Sequence, residues 1–469
     1  MKRLLTVMAA VACLLLCSPR AQAAEISGGE SVARYTGFSS LTRLFDGRTM
    51  ESTKIRKGGS ITLTHDSGIA SVYLVFGTEY GEFTVTDEET GETKAAGENG
   101  YLHEFADLEA MFGYAPRQVT LFFDRADAQL AELSVFTPGD IPEWVQRWAP
   151  PVEGEADLVL FSTHGDDEQL FFAGMLPYYA SELGYNVQVV YMTDHRNMTV
   201  RRCHEMLDGL WAVGIRHYPV FGSFGDYNSQ SLSDAYRIYS QKGISKDDIL
   251  SFLVENIRRF RPKVAVGHDL RGEYGHGMHM IYAEVLCQAV QISADETWFA
   301  ESARLYGLWD VPKTYLHLYQ NNRIIMNWDI PLESFGGMTA YEVTRDLGFP
   351  SHVSQLGYYS WYFEGKDTAA AITEYSPCEF GLYRSTVGED VLKNDLFENV
   401  TTYAQDALAE AQLREEIARL EAEKVPVETE ASKQPEASAT EKIEAAQEPA
   451  KTGLWEIMHK IRKFLGFAQ

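Results

Sequence analysis

The stretch Ala156-Asp157-Leu158-Val159-Leu160-Phe161-Ser162-Thr163-His164-Gly165-Asp166-Asp167-Glu168 runs from an apolar segment straight into a histidine and three carboxylates. A short apolar run bounded by polar residues reads as a strand buried on both faces, which belongs in a parallel sheet. The neighbouring sequence has the matching rhythm. The strand-like Leu158 to Ser162 is followed by a helix-like Gln169 to Ser181, and Val187 to Thr193 by Arg201 to Val213. The helix-like Asp247 to Phe260 then precedes Val264 to Gly267. This alternation predicts an α/β domain with a Rossmann-like parallel sheet and helices on both faces. Arg261-Pro262 stops the last helix just before its strand.

A second motif, Tyr274-Gly275-His276-Gly277-Met278-His279, follows the run Lys263 to Gly267. Open α/β sheets bind ligands outside the carboxyl ends of their strands. Both motifs fall there, as does Thr193-Asp194. Imidazoles and carboxylates so gathered suit a divalent metal, because a catalytic zinc takes three such protein ligands and keeps its fourth position for water. Taken singly, the pieces have plainer explanations. Asp166-Asp167 alone is a solvated turn, an H-x-x-H is incidental in most chains, and His268-Asp269 at a strand end reads as structural. Jointly they form a ligand set with a carboxylate and a histidine left over for proton transfer, the equipment of a metal-dependent hydrolase. Glu168 suits the orienting of ligands better than chemistry itself. No Gly-rich nucleotide-binding motif occurs, so nucleotide cofactors are not implied.

On these residues, the chain from about Ala156 to Gln355 resembles the zinc-dependent LmbE-like, or PIG-L, N-deacetylases. The resemblance is carried by His-x-Asp-Asp-Glu after a strand, by Tyr-Gly-His-x-x-His, and by an intervening Arg202-x-x-Glu205 helix ending at Val213-Gly214. It implies one zinc ion held by His164, Asp167 and His279, with Asp166 as general base. His276 would assist the tetrahedral intermediate and the leaving amine, and Tyr274 would position or polarise the amide oxygen. Asp194 and Asp226 match positions the family uses around the sugar, and His352-Val353-Ser354-Gln355 matches a late element that closes the site. Three positions depart from the pattern. Gly165 stands where the family usually has Pro or Ala, His195 where a Gly commonly follows the Thr-Asp pair, and Met278 where an acid is common. The ligand set is intact and the pocket lining is not, so the departures bear on the substrate. Trp309 and Tyr315 are aromatic candidates for a sugar ring, set against ordinary core packing.

The rest of the 469-residue chain bounds this reading. A formal charge of −26 excludes the basic surface that nucleic-acid binding needs. Lys2-Arg3, an apolar run from Leu4 to Leu16 and Ala21-Gln22-Ala23 read as a signal peptide over residues 1–23, with a mature start near Ala24 and an exported, extracellular or cell-surface protein. Cys203, Cys287 and Cys378 then remain, too few for a disulfide framework, and free buried thiols are expected.

Residues 25–142 show strand-like runs at 60–64, 70–76, 82–86, 118–123 and 131–136, the pattern of an all-β sandwich. With Leu44-Phe45-Asp46-Gly47 this region resembles a galactose-binding-like, discoidin-type module, which implies glycan affinity; a purely structural sandwich is the alternative. After the metal-dependent domain at 143–385 come a helical extension at 386–424, with Leu413, Ile417 and Leu420 on one face, and a Pro/Glu/Ala-rich disordered linker at 425–452. Residues 453–469 read as an amphipathic helix able to contact a membrane peripherally, or to dock on the protein's own domain or mediate association. The expected function is removal of acetyl from an N-acetylated sugar or glycan by an exported zinc enzyme. The alternatives are an inactive, surface-held glycan-binding protein and a metal hydrolase of another amide or ester.

Overall fold

The computed structural model describes residues 21–194 and 200–424. The chain divides into two compact units, Met1–Ala409 and Glu410–Gln469. The expected linker at 425–452, the amphipathic helix at 453–469, His195 and residues 1–20 of the expected signal peptide lie outside the described residues.

The N-terminal part of the first unit is built from β1 (Val32–Phe38), β2 (Thr53–Thr64), β3 (Ser71–Phe76), β4 (Phe83–Asp87), β5 (Thr93–Ala96), β6 (His103–Asp107), β7 (Gln118–Phe123) and β8 (Ala128–Phe136). Hydrogen bonds join them in one eight-stranded sheet of order β5-β4-β7-β2-β8-β3-β6, with β1 on β2. The long strand β2 makes the corner. Its residues 53–55 pair with β8 and its residues 59–64 with β7, and Gly58, at φ 80°, occupies the left-handed backbone region between the two registers. Both halves of the sheet send side chains into one core, where Ile61, Val72, Leu74, Val85 and Leu121 are fully buried. The five expected strands correspond to β2, β3, β4, β7 and β8, two of them, 70–76 and 82–86, beginning one residue before the observed strand. Residues around the expected mature start are tied to the end of this sheet: the Ala23 N–H donates to Asp140 O at 2.9 Å, and Thr137 N–H to Ala24 O at 3.0 Å.

The second sheet comprises β9 (Leu158–Ser162), β10 (Val187–Thr193), β11 (Val220–Phe224), β12 (Val264–Gly267), β13 (Lys313–His317), β14 (Arg323–Ile325) and β15 (Glu379–Ser385), in the order β11-β10-β9-β12-β13-β15-β14. The first five are parallel, and β15 and β14 close the edge in antiparallel fashion. The runs read as strands at 158–162, 187–193 and 264–267 have those same bounds. They are buried along their whole length.

Alternation along β9 explains why. Leu158 and Leu160 pack with Met206 and Leu207 of the helix Val200–Ala212. Val159 and Phe161 pack with Leu253 of the helix Lys246–Phe260 and Val285 of the helix Gly277–Ile292. Helices therefore cover both faces, and no side of the strand is left for polar residues. The expected helix at 169–181 is not continuous: a single turn, Asp167–Leu170, is followed by a wide π turn at Pro177–Glu182.

In chain order the sheet grows one way through β9, β10 and β11, then the chain returns to the other side of β9 with β12 and β13. That reversal leaves a crevice at the carboxyl ends of β9 and β12. Elsewhere, residues 386–402 are irregular and the following helix spans Tyr403–Lys424. The buried Lys313 Nζ contacts Asp390, which also accepts from Tyr315 Oη at 2.7 Å, so Tyr315 is committed to the core. Cys203, Cys287 and Cys378 are buried and form no disulfide among the described residues. No described helix is long and apolar enough to cross a membrane.

Candidate metal centre

His164, Gly165 and Asp166 form the turn between β9 and the short helix Asp167–Leu170. Thr163 anchors this turn from both sides. Its carbonyl accepts from Thr193 N and Oγ1 at 3.2 and 2.7 Å, and its N–H donates to His268 Nε2 at 3.0 Å. A Cβ on Gly165 would collide with the Met206 side chain. The departure from Pro or Ala at this position is thus a packing matter, set by a helix that comes later in the chain. After β12 the chain bends through Glu273–Gly275, with Tyr274 at φ 45° in a region that side chains disfavour. It then enters the helix Gly277–Ile292 with His279 in the first turn.

Three atoms converge in the crevice. His164 Nδ1 lies 3.0 Å from Asp167 Oδ2 and 3.0 Å from His279 Nε2, and the last two are 3.2 Å apart. A tetrahedral zinc bound at about 2.0–2.1 Å holds its ligand atoms roughly 3.3 Å from one another. The triangle fits a divalent ion of that size and ligand preference. His276 belongs to the same cluster, with a ligand nitrogen within 4.8 Å of those of His164 and His279. Its Nδ1 is buried without a hydrogen-bond partner among the described residues.

Each of the two imidazoles in the triangle has a carboxylate behind it. His164 Nε2 is 3.0 Å from Asp226 Oδ1, and His279 Nδ1 is 2.7 Å from Glu273 Oε2. Such partners fix which nitrogen faces the ion and keep the ring from turning. Glu273 is fully buried and also meets His268 Nδ1 at 2.9 Å and His317 Nδ1 at 2.6 Å. The orienting part expected of Glu168 therefore falls to Glu273, while Glu168 points to His352 Nε2 at 3.0 Å. Asp226, expected around the sugar, lines the cavity and holds His164 as well. Asp194 is buried at the end of β10, its N–H donating to Phe224 O at 2.6 Å, and is not among the described residues lining the cavity. His268 spends both ring nitrogens on Thr163 and Glu273, in keeping with a structural part.

The electrostatics follow from burial set against these carboxylates. Burial opposes a charge on His164, but Asp167 and Asp226 outweigh it and hold its pKa up at about 10. Burial likewise opposes a charge on His279, and Asp167 and Glu273 raise it to about 9. Burial, then the neighbouring His164 and His279, push His276 down to about 3. Burial raises Asp166 against the pull of the Arg202 guanidinium, 3.4 Å away. For Asp167, burial is overcome by His279 and His164, which hold the carboxyl well below its usual range. Burial and the Asp167 charge keep the Tyr274 hydroxyl protonated.

The cavity over this cluster has a volume of about 420 Å³. His164, Asp166, Asp167, Tyr274 and His276 form its floor, and Arg202, Gln355 and Trp361 stand in its walls.

Residues 159–290 match the model of the PIG-L family, GlcNAc-PI de-N-acetylase. That segment contains every ligand atom of the triangle and both orienting carboxylates. The chain is also 25% identical over 218 residues to a 1D-myo-inositol 2-acetamido-2-deoxy-alpha-D-glucopyranoside deacetylase of Catenulispora acidiphila, covering 41% of this chain and 65% of the relative. Across three such deacetylases the chain covers 54% to 65% of their length. Among solved structures, it is similar to a 4-carboxy-2-hydroxymuconate hydratase from Pseudomonas putida (17% identity, 51% of this chain and 99% of that one, TM-score 0.33). It is also similar to the N,N'-diacetylchitobiose deacetylase from Pyrococcus horikoshii (15% identity, 49% and 84%, TM-score 0.30). At these scores neither likeness bears on the reaction.

Two sets of residues escaped the sequence reading. Glu273 sits directly before the Tyr-Gly-His motif, and an acid adjoining metal-type histidines was the signal available. Tyr358 and Trp361, beside the cavity, follow the late Ser-Gln element by a few residues and carry no motif. Neither Trp309 nor Tyr315 is among the described residues lining the cavity.

Proposed function

We propose that the chain is an exported, metal-dependent N-deacetylase, with zinc as the ion, that removes acetyl from an N-acetylated sugar or glycan. In this reading residues 143–385 form the catalytic domain, on a Rossmann-like strand order, and 25–142 an accessory sandwich. The observation that supports it best is the triangle of His164, Asp167 and His279 with the carboxylate of Asp166 beside it, engaged by Arg202 and free of the triangle.

What a bound zinc supplies in such a site is a water whose pKa falls to about 7 and a polarised carbonyl. The residues of the chain do the rest. Asp166, raised by burial, is basic enough to accept the proton of the attacking water and, once protonated, can return it to the departing nitrogen. Tyr274, held protonated, donates to the amide oxygen as negative charge grows there. His276, held neutral, stands beside the leaving amine as a hydrogen-bonding partner and takes part in passing the proton. Asp226 and Glu273 hold the imidazoles in place, so no reorganisation is needed during the reaction.

Amine release from a panel of N-acetylated sugars, by the chain with zinc and after chelation, tests this reading. Turnover should vanish on chelation and return with zinc. Asp166→Asn should keep its metal by elemental analysis and lose roughly 10²-fold or more in rate. Undiminished turnover in the chelated protein, or metal loss in Asp166→Asn, would sink the assignment.

A further inference from the structure

The helix Gly357–Tyr362 borders the cavity with two faces of opposite character. Tyr362 and the adjoining Phe363 are each 1% exposed and pack into the core. Tyr358 and Trp361, one turn apart on the other side, are 49% and 39% exposed although both are large aromatics lining the cavity. Their ring centroids are 6.2 Å apart, and Trp361 stands 6.1 Å from Tyr274, nearly perpendicular to it. The three rings make a continuous wall from the ligand cluster out to solvent.

The segment that carries this wall is anchored on both sides of the two rings. The preceding turn is pinned where Ser354 N and Oγ donate to Glu205 at 2.8 and 2.5 Å, and Tyr362 Oη donates to Tyr375 O at 2.7 Å. A backbone anchored in this way leaves less to order when a ligand covers the two rings, which favours binding. The amides of Asn228, Gln230 and Gln355 line the same cavity. Aromatic faces and amide hydrogen-bonding groups lining one cavity, alongside the charged Arg202 and Asp226, suit a ring with apolar C–H faces and hydroxyls around its edge.

We infer that Tyr358 and Trp361 form a stacking subsite for a second sugar ring, joined to the N-acetylated sugar whose amide reaches the metal cluster. The substrate class is then an oligosaccharide rather than a lone monosaccharide, and Trp361 is a specificity-determining residue. This rests on the deacetylase reading for what happens at the cluster, and on the rings alone for the subsite.

Two measurements on the full chain separate the two. Calorimetric binding of N-acetylglucosamine and its β-1,4-linked di-, tri- and tetramer to chelated protein reports the subsite without turnover. Amine release from the same sugars by the zinc-loaded protein reports the reaction. Binding should tighten about tenfold from monomer to longer chain, and KM should fall in parallel. Trp361→Ala should close that gap, Trp361→Phe should retain most of it, and Tyr358→Ala should narrow it. Unchanged thermal melting verifies that the variants are folded. The subsite is overturned by an equal gap in wild type and Trp361→Ala, by binding of no sugar at all, or by the same gain from an alkyl glycoside, which would give the rings to a lipid-like group. A chain-length gap in binding with no amine release from any sugar would instead overturn the deacetylase reading and leave the subsite standing.

Discussion

Two groups of buried histidines in this chain behave in opposite ways. His164 and His279, in the crevice between β9 and β12, are held up at about 10 and about 9. His103 of β6 and His204 of the helix Val200–Ala212 meet at 2.8 Å where the N-terminal sheet packs against the α/β part. There burial pushes His204 down to about 4 and His103 well below its usual value. All four rings are buried, so burial alone does not decide between the outcomes. The carboxylates of Asp167, Asp226 and Glu273 do. One arrangement welcomes positive charge in the interior, and a dication can displace the protons it would otherwise hold. The other excludes charge and serves as a neutral hydrogen-bonded contact between two layers.

The sharpest way to break this contrast is Asp167→Asn. It keeps the shape and removes the negative charge whose oxygen both His164 and His279 share. Metal content by elemental analysis should fall to background and amine release with it. Retained metal would mean that the imidazoles, with His276, suffice.

The interface pair yields a pH prediction. Both folded-state pKa values lie below the unfolded value of about 6.5, so the unfolded chain binds more protons as the pH drops from 6.5 toward 4. The stabilisation is present above pH 6.5 and is lost through that window, by about 3 kcal/mol for His204 alone. Denaturant unfolding of wild type and of a His103→Gln/His204→Gln double variant, compared between pH 7 and 4.5, isolates it from other titrating groups. The wild type should lose more stability, and parallel curves would remove these histidines from the account.

Glu273→Gln tests the orienting carboxylate while preserving its volume. Zinc affinity, measured by competition with a chelating dye, should weaken about 10- to 100-fold. An unchanged affinity would make Glu273 a structural hub for His268 and His317 only. The smallest effect belongs to Gly165→Ala. Because Met206 is flexible, its displacement should cost about 1 kcal/mol, read as a lower melting temperature, with metal still bound.

These effects differ in how far they could be foreseen. Asp167 and His164 are neighbours on one short turn, and a turn after a buried strand advertises itself. Glu273 adjoins the second motif, yet its significance depends on His268, His279 and His317 converging from different elements. Asp226 was noticed through the family pattern and placed around the sugar, but its contact with His164 links the end of β11 to the end of β9. No local feature of Phe224-Gly225-Asp226 announces that contact. The His103–His204 pair joins residues of two layers and leaves no trace in either stretch alone. The expected helix at 169–181 failed for the related reason that its apolar content satisfies a broken path as well as a straight one.

The sequence by itself determined β9, β10 and β12, because strands buried on both faces must be apolar throughout and their ends are marked by the first polar residues. It also determined which chemistry-bearing side chains are grouped, since His164, Asp166 and Asp167 are held together by a turn, and His276 and His279 by a turn leading into a helix. Tertiary structure alone decided that these two groups meet, bringing His164 and His279 to 3.0 Å although they are 115 residues apart. Strand order is set by how the crossover helices pack, which local propensity does not encode. The same packing decided which carboxylates orient the ligands and placed Tyr358 and Trp361 at the mouth of the cavity, because both depend on contacts between elements distant in the chain.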